Sequence, residues 1–292
     1  MIRRAIGAVV LLTSVLLVAA CGTSGEIVGD DLAAAIAAAE PGAVLQLESN
    51  RYQGPIVIDK PLTLIGTGAA VIEAPDDAPA ITVVGTSGVT LRGLRIEGGS
   101  SGILVRRSLA VVIEEVTVEA ALWHGILAQD SEVAITQCLI SALRAPTPQG
   151  IEIINSDRRP PSLVRGCRIE GPVFEGIVAH VSHVTFEDNE VVGSTARGVV
   201  ITEMSDGRME QNRVVDSQGN AYFCGDMSNC SIIDNKVDGI APGEEHRSAQ
   251  GHGVVVHFHS SAFVENLDAD GVQGELVLLM LDSELLDESP YP

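Results

Sequence analysis

A short motif, one small residue followed by two or three aliphatic ones, returns along this chain at a nearly constant interval. Gly102-Ile103-Leu104-Val105, Gly125-Ile126-Leu127-Ala128, Gly150-Ile151-Glu152-Ile153, Gly176-Ile177-Val178-Ala179, Gly198-Val199-Val200-Ile201 and Gly253-Val254-Val255-Val256 begin at spacings of 23, 25, 26, 22 and 55. The last interval is two periods, and Ala221-Tyr222-Phe223-Cys224 fills the missing line. Six or seven residues after each start stands a serine: Ser87, Ser108, Ser131, Ser156, Ser182, Ser205, Ser228 and Ser260. A third column follows about seven residues later, at Leu94, Val116, Cys138, Cys167, Asn189, Asn212, Asn235 and Asn266. Three columns moving in step at this period predict a solenoid.

The apolar segments are short, rich in Val and Ile, and separated by Gly, Ser, Asp and Asn, which predicts strands rather than helices. Each strand then pairs in register with its equivalent one turn away, about 4.8 Å along the axis. Inward positions such as Ile103, Val105, Ile126, Ile177, Ile201 and Val254 stack into aliphatic ladders, and alternate residues face out. Such a core is a narrow column, consistent with an aromatic content of only 3%.

A column needs covers at its ends, where core and strand edges would be bare. At the front, Asp31 precedes the run Leu32 to Ala39, and Pro41-Gly42 stops it, which predicts a capping helix with an N-cap and a terminator. At the back, Leu276 to Leu286 is expected to close the final turn, with 287–292 as an acidic tail.

The helix is followed by Pro41-Gly42-Ala43-Val44-Leu45-Gln46-Leu47, Tyr52-Gln53-Gly54-Pro55-Ile56-Val57-Ile58 and Lys60-Pro61-Leu62-Thr63-Leu64-Ile65-Gly66. This opening resembles that of right-handed parallel β-helix proteins of the pectate-lyase-like superfamily. The later Gly-Ile and Asn-containing lines are similar to its NosD-like, carbohydrate-associated branch. The resemblance spans roughly residues 30 to 275. It implies an all-β, single-stranded right-handed parallel β-helix with a short N-terminal capping helix. It does not imply one activity, because the superfamily holds lyases, hydrolases, epimerases, adhesins and noncatalytic accessory proteins.

The first residues give an address. Arg3-Arg4, an apolar run to Ala20, and Val18-Ala19-Ala20-Cys21 read as a signal peptide over 1–20 that ends in a tetrad resembling the bacterial lipobox. Cys21 would carry the acyl chains, palmitate among them, and 21–30 would tether a β-helix domain of 31–286 to the cell envelope. The envelope membrane would be the outer one where two exist, because Gly22 rather than aspartate follows Cys21. Losing 1–20 removes two arginines and turns a formal charge of -21 into -23. That surface repels phosphates and excludes nucleic acid as a partner class. An acidic polysaccharide would need local relief, and nine of the eighteen basic residues do fall between Arg92 and Arg168. Nothing in the sequence fixes an oligomeric state.

Candidate chemistry divides into motifs and positions. The asparagines and serines read as structural stacks, since an unpaired buried amide costs about 1 to 3 kcal/mol. Cys138 and Cys167 share a column in neighbouring turns, as a disulfide or as two buried thiols, and Cys224 with Cys230 could close a bend. Gly251-His252-Gly253 is similar to the Gly-His-Gly of polygalacturonase-type hydrolases, but their Asn-Thr-Asp, Asp-Asp and Arg-x-Lys elements are missing. Inverting hydrolysis therefore lacks its pair of carboxylates. His257 and His259 alternate on an expected strand face and could share a metal, with no third ligand fixed by spacing; the metal-handling alternative adds His252 to them. The calcium-binding acidic cluster of pectate lyases is not recognisable; no cofactor is evident, and calcium or a transition metal stays open without a recognisable site.

Position makes the stronger case. The residues before the line starts, Ser101, His124, Gln149, Glu175, Arg197, Asn220 and His252, are all polar, and Arg106, Gln129, Glu152, His180, Thr202 and His257 lie nearby on outward positions. Together they predict a polar strip on one flank, with Gln149, Glu152, Thr202 and Asn220 available to a ligand. Arg197 and Glu175, assisted by His124 or His180, would resemble lyase or epimerase chemistry; equally, they could be a surface ion pair. An outward apolar column, Leu104, Leu127, Val178, Val200, Phe223 and Val255, is interrupted by Glu152 and predicts a ridge in search of a cover. The leading expectation is an envelope-anchored protein that binds polysaccharide or a protein partner without catalysis. The alternatives are a polysaccharide-acting enzyme and a metal-handling accessory factor similar to NosD.

Overall fold

The computed structural model describes residues 24–27, 31–67, 69–156, 160–243 and 250–291. Cys21 and the apolar leader lie outside them. The described chain winds through about ten turns of a parallel β-helix, each turn laying one strand on each of three faces. Face 1 runs from Ser24–Ile27 and Ala43–Leu47 through Val111–Glu114 to Ser261–Glu265 and Glu284–Leu285. Face 2 includes Arg95–Gly98, Thr117–Glu119 and Lys236–Ala241, and face 3 includes Ser101–Arg106, His124–Gln129 and His252–His257. Faces 2 and 3 merge where single strands, Arg168–His180 and Glu190–Thr202, cross the corner between them. The pairings between these strands are parallel, with like positions in register as in Ile103↔Ile126↔Ile151↔Ile177↔Val199, and the register shifts between Glu170 and Glu175 where the two long strands cross the corner.

The inward ladders expected from the sequence line the core, with Ile103, Val105, Ile126, Ile177, Ile201 and Val254 fully buried. Tyr52, Phe186 and Tyr222 join them, so the column does admit rings at selected turns. Glycine recurs at the line starts because face 3 begins tight against face 2. A Cβ at Gly102 would strike Val118 Cγ1 and come within 2.7 Å of the Gly125 carbonyl.

Two inner bends are held by side-chain ladders. Between faces 3 and 1, Ser108 N donates to Ser131 Oγ at 3.1 Å. Ser156, Ser182, Ser205, Ser228 and Ser260 each donate likewise to the hydroxyl one turn on, ending at Ser283. Between faces 1 and 2, each turn passes through a left-handed residue: Glu115, Gln137, Asp188, Gln211, Asp234 and Asn266 have φ between 51° and 56°. Asn189, Asn212 and Asn235 follow three of these and stack inside the bend. Asn266 does not extend that stack. It sits one residue earlier, in the left-handed position itself, where it is exposed and donates to Asp234 Oδ1 at 2.9 Å. Asparagine tolerates both sites, which hides the slip from a reading by spacing.

Cys138 and Cys167 occupy the same bend earlier in the chain and are two buried thiols, without the disulfide that was one option for them. A hydrogen bond with Cys167, then burial, pushes the Cys138 thiol well up. Cys224 and Cys230 are joined by a disulfide of 2.02 Å across the serine bend.

The two ends differ. The helix Leu32–Ala38 buries Leu32 and Ile36 over the first turn, and Asp31 Oδ1 accepts from Ala34 N at 3.0 Å. Lys60 Nζ donates to the carbonyls of Ala37 (2.9 Å) and Ala39 (2.8 Å), a cation placed where the helix leaves unpaired acceptors. Ser24–Ile27, expected to be part of a tether, instead pairs with Val44–Leu47 as the first strand of face 1. At the other end Leu276 to Leu286 supplies the expected final turn, Val277–Met280 on face 3 and Glu284–Leu285 on face 1, but leaves it uncovered. Leu276, Leu279, Leu281 and Leu285 are all exposed, and the chain beyond them turns back along face 1, where Ser289 Oγ meets Ser231 Oγ at 2.7 Å.

Candidate functional site

The register delivers the polar strip. Ser101, His124, Gln149, Glu175, Arg197, Asn220 and His252 are consecutive partners along the first position of face 3. The sixth position carries Arg106, Gln129, Ile154, His180, Thr202, Gly225 and His257. Glu152 does not belong to that second row; its register partners are Leu127 and Val178, in the column between the two rows.

From that middle column the Glu152 carboxylate reaches both rows. His124 Nε2 lies 2.9 Å from Oε2 and His180 Nε2 lies 3.5 Å from Oε1, with Glu152 itself buried. The far nitrogens are engaged as well: Ser101 Oγ is 3.2 Å from His124 Nδ1, and Glu203 Oε2 is 3.4 Å from His180 Nδ1. The result is a line of hydroxyl, imidazole, carboxylate, imidazole and carboxylate. Chemically, Ser101-His124-Glu152 could polarise the serine hydroxyl, but Ser101 is only 6% exposed and presents no open nucleophile.

Arg197 and Glu175 form a second unit. Arg197 Nη2 is 2.6 Å from Glu175 Oε1, Glu175 is 2% exposed, and the guanidinium lies 4.6 Å over the Phe223 ring. Pairing on one side and stacking on the other hold both charges, so neither is free to abstract a proton. His124 and His180 do not converge on this pair; they face Glu152. Farther along, Thr202 Oγ1 donates to Asp226 Oδ2 at 2.8 Å, and His257 Nδ1 is 3.5 Å from Asp226 Oδ1. Gln149 is half-buried and Asn220 fully buried in the first row.

Several expectations change. The outward apolar column is no exposed ridge: Val178, Val200, Phe223 and Val255 form a small buried cluster of their own, part of it roofed by Arg197. The three histidines of the metal reading are not grouped. His252 Nδ1 accepts from Glu275 N at 2.8 Å at the start of a strand, and His257 ends that strand. His259 lies beyond it in a left-handed turn with φ 53°, not on a strand face. Among the described residues no cluster of three or more His, Cys, Asp or Glu side chains is placed to hold a metal ion. The arginines expected to relieve the acidic surface are largely paired: Arg92 with Glu114, Arg95 with Glu97 and Glu119, Arg144 with Asp76, Arg165 with Glu187, and Arg168 with Glu170 and Glu190.

One residue escaped the column reading. Trp123, the chain's single tryptophan, is 44% exposed directly before His124. Its row continues through Pro148 to a half-buried Phe174, two turns away, giving the strip an apolar margin. Its adjacency to His124 was the available clue. A depression of about 560 Å³ lies elsewhere, at the bend between faces 1 and 2, where Arg213 bridges Glu190 and Asp238.

A family model described as right handed beta helix region matches residues 70–182 and 101–269. No curated protein matches the sequence. Among solved structures, an alginate lyase from Paenibacillus sp. str. FPU-7 superposes with a TM-score of 0.63 at 15% identity, over 87% of this chain and 96% of that one. A polygalacturonase from Erwinia carotovora ssp. carotovora gives 0.61 at 10% identity, over 92% and 95%. The pectate lyase Pel9A gives 0.58 at 14% identity, over 84% and 72%. At such identities the likeness is one of fold, and it agrees with the right-handed coil expected from the opening segment.

Proposed function

The chain belongs to the right-handed β-helix family, and on that premise we propose that it binds a polysaccharide along the outer edge of face 3 without cleaving it, held at the cell envelope through Cys21. The observation that carries this reading is Trp123, exposed beside a strip of polar side chains repeated once per turn. A pyranose ring offers a face of C–H groups to an indole and a rim of hydroxyls to hydrogen-bonding neighbours, here the half-buried His124 and Gln149 beside Trp123. Glu152, Thr202 and Asn220, expected to meet a ligand, are buried. Absence of catalysis is supported by the state of the charges: Glu175 is held by Arg197, and Glu152 by His124 and His180. The pairing of Arg92, Arg95, Arg165 and Arg168 favours an uncharged glycan over an acidic one. The anchor rests on the Val18-Ala19-Ala20-Cys21 tetrad alone.

The test is a binding titration of the protein lacking residues 1–20 against a neutral glucan, alginate and polygalacturonate, with product analysis on each. The expected result is binding to the neutral glycan, no new chain ends, and a loss of about tenfold in affinity for Trp123→Ala. Release of unsaturated or reducing ends that disappears in the Arg197→Ala, Glu175→Ala double variant would establish an enzyme instead. Affinity unmoved by Trp123→Ala would remove face 3 as the site.

A further inference from the structure

We propose that the C-terminal end of the β-helix is a docking edge for a basic, extended polypeptide segment, which would add a further rung to the column. The inward ladders do not finish at this end; they run out at the surface. Leu279 is the register partner of the fully buried Val256, yet is 44% exposed. Leu285, partner of the fully buried Ala262, is 46% exposed, and Leu276 is 48% exposed. All three faces end on strands paired on one side only among the described residues: Val277–Met280, Glu284–Leu285 and Asp268–Val272. A parallel edge strand leaves every second residue's N–H and C=O without partners, which is what an added strand satisfies.

Charge selects the occupant. From Glu265 to Glu288 the chain carries eight acidic residues and neither lysine nor arginine. Two copies meeting tail to tail would bring those sets together. Head-to-tail stacking is blocked at the other end, where the helix Leu32–Ala38 lies over the first turn. The segment after Leu286 does not fill the gap either, since Tyr291 OH donates to Asn229 O at 3.0 Å, down the side of face 1. What fits is a strand with apolar residues on one side and cations along its length.

The probe is a short labelled peptide of alternating lysine and valine, titrated into the full chain beside a peptide of the same charge interrupted by proline. The alternating peptide is expected to bind about tenfold more tightly than the interrupted one, with affinity falling as salt rises. Leu279→Lys with Leu285→Lys should remove that preference, read beside circular dichroism that stays unchanged. Should this variant lose its final turn, the triple variant Glu275→Gln, Asp282→Asn, Glu284→Gln leaves the leucines untouched and should still weaken binding about tenfold. Equal affinity for the two basic peptides would reduce the effect to charge alone and overturn the docking edge. So would no binding, or binding that survives the triple variant. Dimers in sedimentation that vanish with Leu279→Lys would assign this end to a second copy instead.

Discussion

The two inner bends solve one problem with different side chains. In the serine bend Ser131 and Ser205 accept an N–H from the turn before, from Ser108 and Ser182, and donate to a carbonyl two or three residues back in their own turn, at Gln129 and Thr202. Of its two neighbouring turns, a serine hydroxyl therefore engages only the one before its own. In the asparagine bend Asn212 Oδ1 accepts from both Asn189 N and Asn189 Nδ2, while Asn212 Nδ2 reaches Phe186 O in one direction and Asn235 Oδ1 in the other. An asparagine side chain engages both neighbours, and Tyr222 adds a brace from across the core, its hydroxyl 2.7 Å from Asn212 O. The serine ladder can accordingly be broken and resumed. Past Ser156, Ser162 takes the N–H of Val133 and meets Ser156 at 2.7 Å. The asparagines occur instead as one unbroken block, with thiols and aliphatics filling the same column on earlier turns.

That contrast can be broken by substitution. Asn212→Leu should cost the most, about 3 kcal/mol in urea unfolding, because it orphans buried donors on Asn189 and an acceptor at Phe186. Replacing both Cys224 and Cys230 by serine releases the short loop that spans the serine bend, and should cost about 2 kcal/mol in the same measurement. Ser205→Ala orphans a single N–H, that of Ser182, and should cost about 1 kcal/mol; a loss equal to that of Asn212→Leu would erase the distinction between the bends. The smallest effect belongs to the outer faces. Against the opposing pull of partial burial, Arg51 and Arg95 hold the Glu97 carboxyl below its ordinary value of 4.5. Its stabilisation is therefore present above that pH and is lost as pH falls through the lowered value. Acid titration of the Glu97→Gln variant should lose this part of the stability profile and leave the effect of Asn212→Leu unchanged, since no ladder group there is charged.

Legibility followed repetition. The serines and face 3 starts were readable because each turn keeps the residue type and the interval, and Asp31 was readable because an N-cap is a local event. Asn266 was misplaced because a count of residues does not register a one-position shift when both positions accept asparagine. The link from Glu152 to His124 and His180 was out of reach for a related reason. It runs diagonally between rows, and only side-chain length, not register, brings the groups together. The row of Trp123, Pro148 and Phe174 repeats no residue type from turn to turn, so spacing alone carried no signal for it. The leucines of the last turn carry the same letters as core leucines, and only the absence of a following rung among the described residues separates the two.

The serine ladder has a direction. Each bond hands an N–H forward to a hydroxyl that lies later in the chain, from Ser108 to Ser131 and at the last from Ser260 to Ser283. In a coil built turn by turn from its N-terminal end, the newest complete turn is the one with an unmet donor, and it is settled only when the next turn forms. Maturation of this bend advances as a front that trails the growing point by one coil. Trimming from the C-terminus would reopen that front one donor at a time, whereas trimming from the N-terminus would strand only hydroxyl acceptors.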